Sequence, residues 1–219
     1  MRGDLARRLL AIVDLATIDG AGSSVEASVE RALAAGVRVF LLRGKGARAG
    51  LLDSVDLRSL AASIRREGGV FLLHGDSAWP VDLSLADGVH RGAGVLWERA
   101  PRVVERSRWG VSCHSREELA RAASLGASWV TLSPFAETSS KPGYGPPLGV
   151  EGLRKLLDGC TVPAFALAGV QASTARGIAA SGVAGVALMG MIASRDFESR
   201  FRALVHVMEG ELWKVHPPW

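Results

Sequence analysis

Cysteine, lysine and long apolar runs are all scarce in this chain of 219 residues. Its two cysteines, Cys113 and Cys160, form neither a metal-ligand spacing nor a disulfide framework, so a reduced, cytoplasmic setting is the expectation. Lysine occurs only at Lys45, Lys141, Lys155 and Lys214. The net charge of +4 therefore rests on arginine, and so modest an excess suits an anionic small molecule as well as it suits nucleic acid. No basic stripe with interleaved aromatics appears, which argues against a nucleic-acid partner. No apolar run approaches the roughly 18 residues of a membrane span, so no membrane partner is expected either. The opening "MRGDLARRLLAIVDLATIDG" has arginines and an apolar stretch. That stretch is short, Asp14 interrupts it and no small-residue cleavage site stands out, so it reads as a buried first strand and not as a signal peptide.

What is present is a repeat. "LAAGVRVFLLRG" (Leu33 to Gly44), "LADGVHRG" (Leu85 to Gly92), "SLGASWVTLSP" (Ser124 to Pro134) and "ASGVAGVALMG" (Ala180 to Gly190) share one order. Each runs from the end of a helical pattern through a glycine into a short apolar run and then a polar or glycine-rich turn. The glycine suits a helix C′ position and the apolar run a strand buried on both faces. "LLAIVDL", "GVFLLHG", "RWGVSCH" and "VPAFALAG" read as further strands. Helical patterns cover 24–35, 51–67, 99–106, 116–125, 150–157, 172–181 and 195–207, with a weaker one near 79–85. Eight strands alternating with eight helices imply right-handed βαβ units and a single α/β domain, a (β/α)8 TIM barrel over residues 1–219 with its core at about 9–208. An open doubly wound sheet is the alternative, but "DLATIDGAGSSVE" lacks the G-x-G-x-x-G expected after its first strand. The tail "KVHPPW" reads as a surface end.

In such a barrel, chemistry belongs at the C-terminal ends of the strands. Strand two ends with Arg43 and Lys45, two apart and so on one side of an extended chain. Strand three ends with His74, Gly75 and Asp76, strand four with His90 and Arg91, and strand five with Ser112, Cys113 and His114. Strand six opens a long unpatterned loop, "SPFAETSSKPGYGPPLG", with Thr138, Ser139, Ser140 and Lys141. Loops beyond about 12–15 residues are uncommon in compact domains and tend to be functional or disordered. Strands seven and eight run through Gly169 and Gly190 into helices, where backbone N–H groups suit a phosphate. Each residue also has a plainer reading. Arg43 and Lys45 could be a solvated rim, and His74 and His90 satisfied interior histidines. Ser112 and Cys113 could be packing residues, His114 part of a helix start and the glycines turn residues.

Taken together, "LLRGKG", "ADGVHRG", "GVSCHSREELARAASLGASWVTLSPF", "TSSKPGYGPPLG", "PAFALAGV" and "GVAGVALMGMIAS" resemble thiamine phosphate synthase and its relative thiazole tautomerase. The resemblance implies a TIM barrel that joins hydroxymethylpyrimidine diphosphate to thiazole phosphate with release of pyrophosphate, aided by magnesium. It assigns Arg43 and Lys45 to the pyrimidine diphosphate and Ser112 to the pyrophosphate, whereas His74 is read as a binding residue from its place at the end of strand three alone. Thr138, Ser140 and Lys141 become a loop that closes over the anions, with Lys141 neutralising phosphate charge, and Gly169 and Gly190 the thiazole-phosphate turns. Asp76 is the magnesium ligand when counted back from His90, whereas alignment on the strand puts Gly75 there. Several positions depart from the pattern. Leu41 replaces a glutamine, Ala168 a glycine, and Val95 the second magnesium aspartate of an H-x-G-Q-E-D motif. A valine cannot bind a cation that demands oxygen ligands. Because of Val95 a tautomerase and a non-catalytic phosphate binder stay open as alternatives, although Pro134 stands where the tautomerase has its histidine. The alanine- and leucine-rich outer helices allow a homodimer.

Overall fold

In the computed structural model the structure describes residues 3–44, 51, 53–75, 83–98, 108–138 and 145–219. Eight parallel strands close into a barrel in the order β1 to β8. They are β1 Leu9–Asp14, β2 Val39–Arg43, β3 Val70–His74, β4 Gly88–Arg91, β5 Arg108–Cys113, β6 Trp129–Leu132, β7 Ala164–Leu167 and β8 Gly185–Leu188. The fold is therefore the expected α/β TIM barrel. The helices among the described residues are α1 Gly3–Ala6, α2 Leu15–Gly20, α3 Val25–Ala34, α4 Leu57–Arg66, α5 Arg116–Ser124, α6 Gly149–Leu157, α7 Ala172–Ala180, α8 Gly190–Ala193 and α9 Phe197–Glu209. None of them is long and apolar enough to cross a membrane.

Strand alternation divides the apolar residues into two layers. Leu9, Ala11, Val13, Phe40, Leu42, Phe71 and Leu73 join the layer between barrel and helices. Leu10, Ile12, Val39, Leu41, Leu72, Trp129 and Phe165 fill the barrel itself. Such packing needs small partners. A Cβ at Gly110 would stand 2.1 Å from Trp129 Cε2, so only glycine lets the indole cross the barrel there. Two positions further along, the inward-facing residues become polar.

Two expectations are corrected, the start of one helix and the idle tail, and two others fall wholly or partly outside the described residues. The helix over 51–67 begins only at Leu57, because the Asp56 side chain accepts from Arg58 N–H and Ser59 N–H and so fixes the N-cap. Of the pattern near 79–85 only 83–85 are described, as a 3-10 turn, Leu83–Leu85; the remainder lies outside the described residues. The segment 99–106 lies outside the described residues. The tail is no idle surface end, because the open barrel floor offers an apolar surface to cover. Trp219 closes that floor, with ring centroids 5.1 Å from Trp129 and 5.2 Å from Phe165, and its indole N–H donates to the Arg7 carbonyl at 2.7 Å. Arg8, only 2% exposed, ties the tail to the sheet. Its guanidinium donates to the carbonyls of Ala184 and Val215, pairs with Asp4 and lies over the Trp213 ring.

Candidate active site

The inward position nearest the C-terminal end is polar on six successive strands. It holds Asp14 on β1, Arg43 on β2, His74 on β3, His90 on β4, Ser112 on β5 and Thr131 on β6. The register makes Asp14 a neighbour of Arg43, His74 of His90, and Ser112 of Thr131. Four of the strand-end residues read from the sequence, Arg43, His74, His90 and Ser112, therefore meet at one mouth. Asp14 and Thr131 were not foreseen. A carboxylate ending an apolar strand, and a hydroxyl within one, were the available signals.

Asp14 is 3% exposed and answers several needs at once. It pairs with the Arg43 guanidinium, accepts the Thr17 N–H at 3.0 Å as the N-cap of α2, and accepts the Thr17 hydroxyl at 2.7 Å. The pair holds Arg43 at the mouth, but it also means that Arg43 is not an uncompensated cation. His74 and His90 face each other with ring centroids 5.9 Å apart. Burial first, then the charges of His74 and Arg43, push the His90 pKa down to about 3, so its imidazole is neutral at ordinary pH. Its Nε2 lies 3.3 Å from the Thr131 hydroxyl, which lies 3.4 Å from Ser112 Oγ. Its Nδ1 has no partner among the described residues. His114 keeps its plainer reading. Its Nδ1 lies 2.8 Å from the Ser133 carbonyl, a bond between the ends of β5 and β6. Cys113 is fully buried, and burial raises its thiol pKa to about 12, so it packs and does not react.

On the opposite side, β7 ends in two successive left-handed residues, Ala168 at φ 77° and Gly169 at φ 71°. A Cβ at Gly169 would stand 2.5 Å from Ala136 Cβ, so this turn needs glycine for both conformation and space. Thr174 fixes the turn by donating to the Gly169 carbonyl at 3.1 Å and accepting the Gln171 N–H at 3.0 Å. Among the described residues no acceptor takes the N–H of Gly169 or Val170. Gly190 is exposed and opens α8, a helix of four residues whose dipole is slight. The long loop is anchored at its base by Leu148 N–H to the Pro134 carbonyl and Gly149 N–H to the Phe135 carbonyl, both 2.9 Å. Thr138 stands half-buried on its first limb. Lys45, Asp76, Ser140 and Lys141 lie outside the described residues.

A magnesium ion does not fit the described residues. Val95 is buried and apolar at 6% exposure, Gly75 has no side chain, and Asp14 is already engaged. Among the described residues no group of three metal-ligating side chains converges.

The chain resembles proteins of one family over most of its length. Residues 9–192 match the family described as thiamine monophosphate synthase. A putative thiamine-phosphate synthase of Geobacter sulfurreducens is 38% identical, over 85% of this chain and 88% of its own length. A thiamine-phosphate synthase of Geobacillus kaustophilus is 35% identical over 76% of each. Among solved structures, a thiamine phosphate pyrophosphorylase from Pyrococcus furiosus superposes with a TM-score of 0.73 over 95% of this chain and 98% of that one, at 24% identity, which supports the fold. The match spans the whole barrel and runs through every strand end that lines the mouth, so the chain belongs to the thiamine monophosphate synthase family.

Proposed function

We propose that this barrel is a thiamine phosphate synthase, a transferase of thiamine biosynthesis that joins hydroxymethylpyrimidine diphosphate to thiazole phosphate and releases pyrophosphate. The observation that carries the reading is the pairing, in one mouth, of an arginine- and hydroxyl-lined half with a glycine turn whose N–H groups meet no acceptor among the described residues. The relatives favour the synthase over the tautomerase and over an inactive binder. When the C–O bond of the diphosphate breaks, its electron pair leaves with pyrophosphate. Stabilising that charge is the main work, and preorganised donors do it best. Arg43 and Lys45 are assigned to the diphosphate and Ser112 to the departing pyrophosphate, with His74 lining the pocket beside them. Thr138, Ser140 and Lys141 would close over the anions and exclude water from the pyrimidine cation until the thiazole adds to it. Gly169 and Gly190 would hold the thiazole phosphate through backbone N–H groups. Asp76 is the one remaining proposed magnesium ligand. A cytoplasmic location and a homodimer complete the proposal, the first from the biosynthetic chemistry and the second from the outer helices.

The test is a coupled assay of purified protein with both substrates, in which thiamine phosphate is quantified by fluorescence after oxidation. Product that falls by at least tenfold in Lys141→Ala would support the reading. Wild-type protein that binds thiazole phosphate but forms no product would refute it.

A further inference from the structure

We infer that the β3–β4 side of the mouth holds its diphosphate through the Arg91 guanidinium in the place of a divalent metal ion. The identity of the ligand rests on the synthase reading above; the site itself rests on geometry. Arg91 is the last residue of β4 and is half-buried. Among the described residues it has no carboxylate partner, unlike Arg8, Arg31, Arg38, Arg43, Arg65 and Arg176. Alternation turns His90 into the barrel and Arg91 to the outer rim, over the C-terminal end of β3. A Cβ at Gly75 would stand 3.3 Å from Arg91 Nη1, 3.4 Å from its Cδ and 2.7 Å from Val89 Cγ1. Val89 crowds the space beside position 75, the strand-register place of the first metal-binding aspartate, and the Arg91 side chain borders it. The second such place is Val95, buried in the 3-10 turn Ala93–Trp97 that follows β4.

The charges follow the same substitution. With Asp76 counted as the first carboxylate, exchanging the second for Val95 and adding Arg91 makes the rim more positive by two charges, the charge of one divalent cation. A guanidinium never loses its proton at biological pH and can meet two phosphate oxygens with parallel N–H donors. Magnesium, in contrast, takes water and phosphate oxygens but still needs a protein carboxylate, and Gly75 and Val95 supply none at this rim. As pyrophosphate leaves with the bonding electrons, the fixed cation balances its charge and no proton has to move.

The experiment is calorimetric titration of the full chain with inorganic pyrophosphate, once in chelator and once in magnesium. Wild type is expected to bind in chelator, within about threefold of its affinity in magnesium, and Arg91→Ala to weaken binding in chelator at least tenfold. Arg91→Lys keeps the charge and most of the bulk but not the fork, and should fall between them. It carries the test if the alanine variant does not fold. Binding that vanishes in chelator, or variants that bind as wild type does, would overturn the inference. Thiamine phosphate formation in the same preparations separates the two readings. Product that requires magnesium would overturn the inference and leave the synthase standing. Metal-free pyrophosphate binding through Arg91 without product would do the reverse.

Discussion

At the floor of the barrel, Trp219 packs on Trp129 and Phe165, and the tail is pinned to β1 through Arg7 and Arg8. At the mouth, about two residues along the same strands, Asp14, Arg43, His74, His90, Ser112 and Thr131 take the inward positions. The strands are the same and so is their alternation; only the inward side chains differ. Packing fills the floor, where size and shape decide. The mouth keeps groups that are costly to bury, and each is compensated by a neighbour or left for a ligand. Changes at the floor should therefore alter stability and leave turnover alone, whereas changes at the mouth should alter turnover first.

The sharpest break in that comparison is Arg43→Ala. It should reduce kcat/KM on the order of 100-fold, the scale of losing one charged donor at a developing anion. It also strands the buried Asp14 carboxylate. Because Arg43 is 23% exposed, the stability loss should stay near 2–3 kcal/mol, below the full cost of breaking a buried pair. Adding Asp14→Asn should restore the melting temperature and not the turnover, which separates the two roles of the pair. Next comes Gly169→Ala. A left-handed alanine costs about 1–2 kcal/mol, and its Cβ would overlap Ala136, so KM for thiazole phosphate should rise about tenfold. Pairing it with Ala136→Gly should recover part of that loss.

At the floor, Trp219→Ala should cost about 2 kcal/mol, seen as a melting temperature lower by about 4–8 °C, with kcat/KM unchanged. A turnover defect of the size seen for Arg43→Ala would erase the distinction between the two ends. His90, at the mouth, shows itself through pH. Its folded pKa of about 3 is below its ordinary 6.5, so the unfolded chain binds a proton that the folded chain refuses. Stability from this group is present above about pH 6.5 and is lost as pH falls towards 3, at up to about 1.4 kcal/mol per pH unit. His90→Asn should flatten that part of the melting-temperature curve. The smallest effect is at the thiols. Cys113 should resist iodoacetamide at pH 8 in the native protein while half-buried Cys160 reacts, and both should react in denaturant.

The barrel was legible because each strand is an apolar run set off by a glycine, and each strand end could then be counted along the chain. Arg43, His74 and Ser112 were found that way. What escaped depends on contacts between distant residues. Asp14 looked like an interruption of an apolar run until the register set it beside Arg43. Thr131 lay inside a run read as wholly apolar, and its role exists only against Ser112 and His90. The tail has no periodicity, and its place is fixed by Trp129, 90 positions away in the chain, across a barrel floor that no local pattern describes. Even the start of α4 was available, since Asp56 is a good N-cap residue, but an apolar pattern that began earlier masked it.

The most direct measurement is thiamine phosphate formation by the purified chain from hydroxymethylpyrimidine diphosphate and thiazole phosphate. A synthase should give product with wild-type protein and at least tenfold less with Arg43→Ala. Intact, folded wild-type protein that forms none with both substrates present, in magnesium as well as in chelator, would contradict the account.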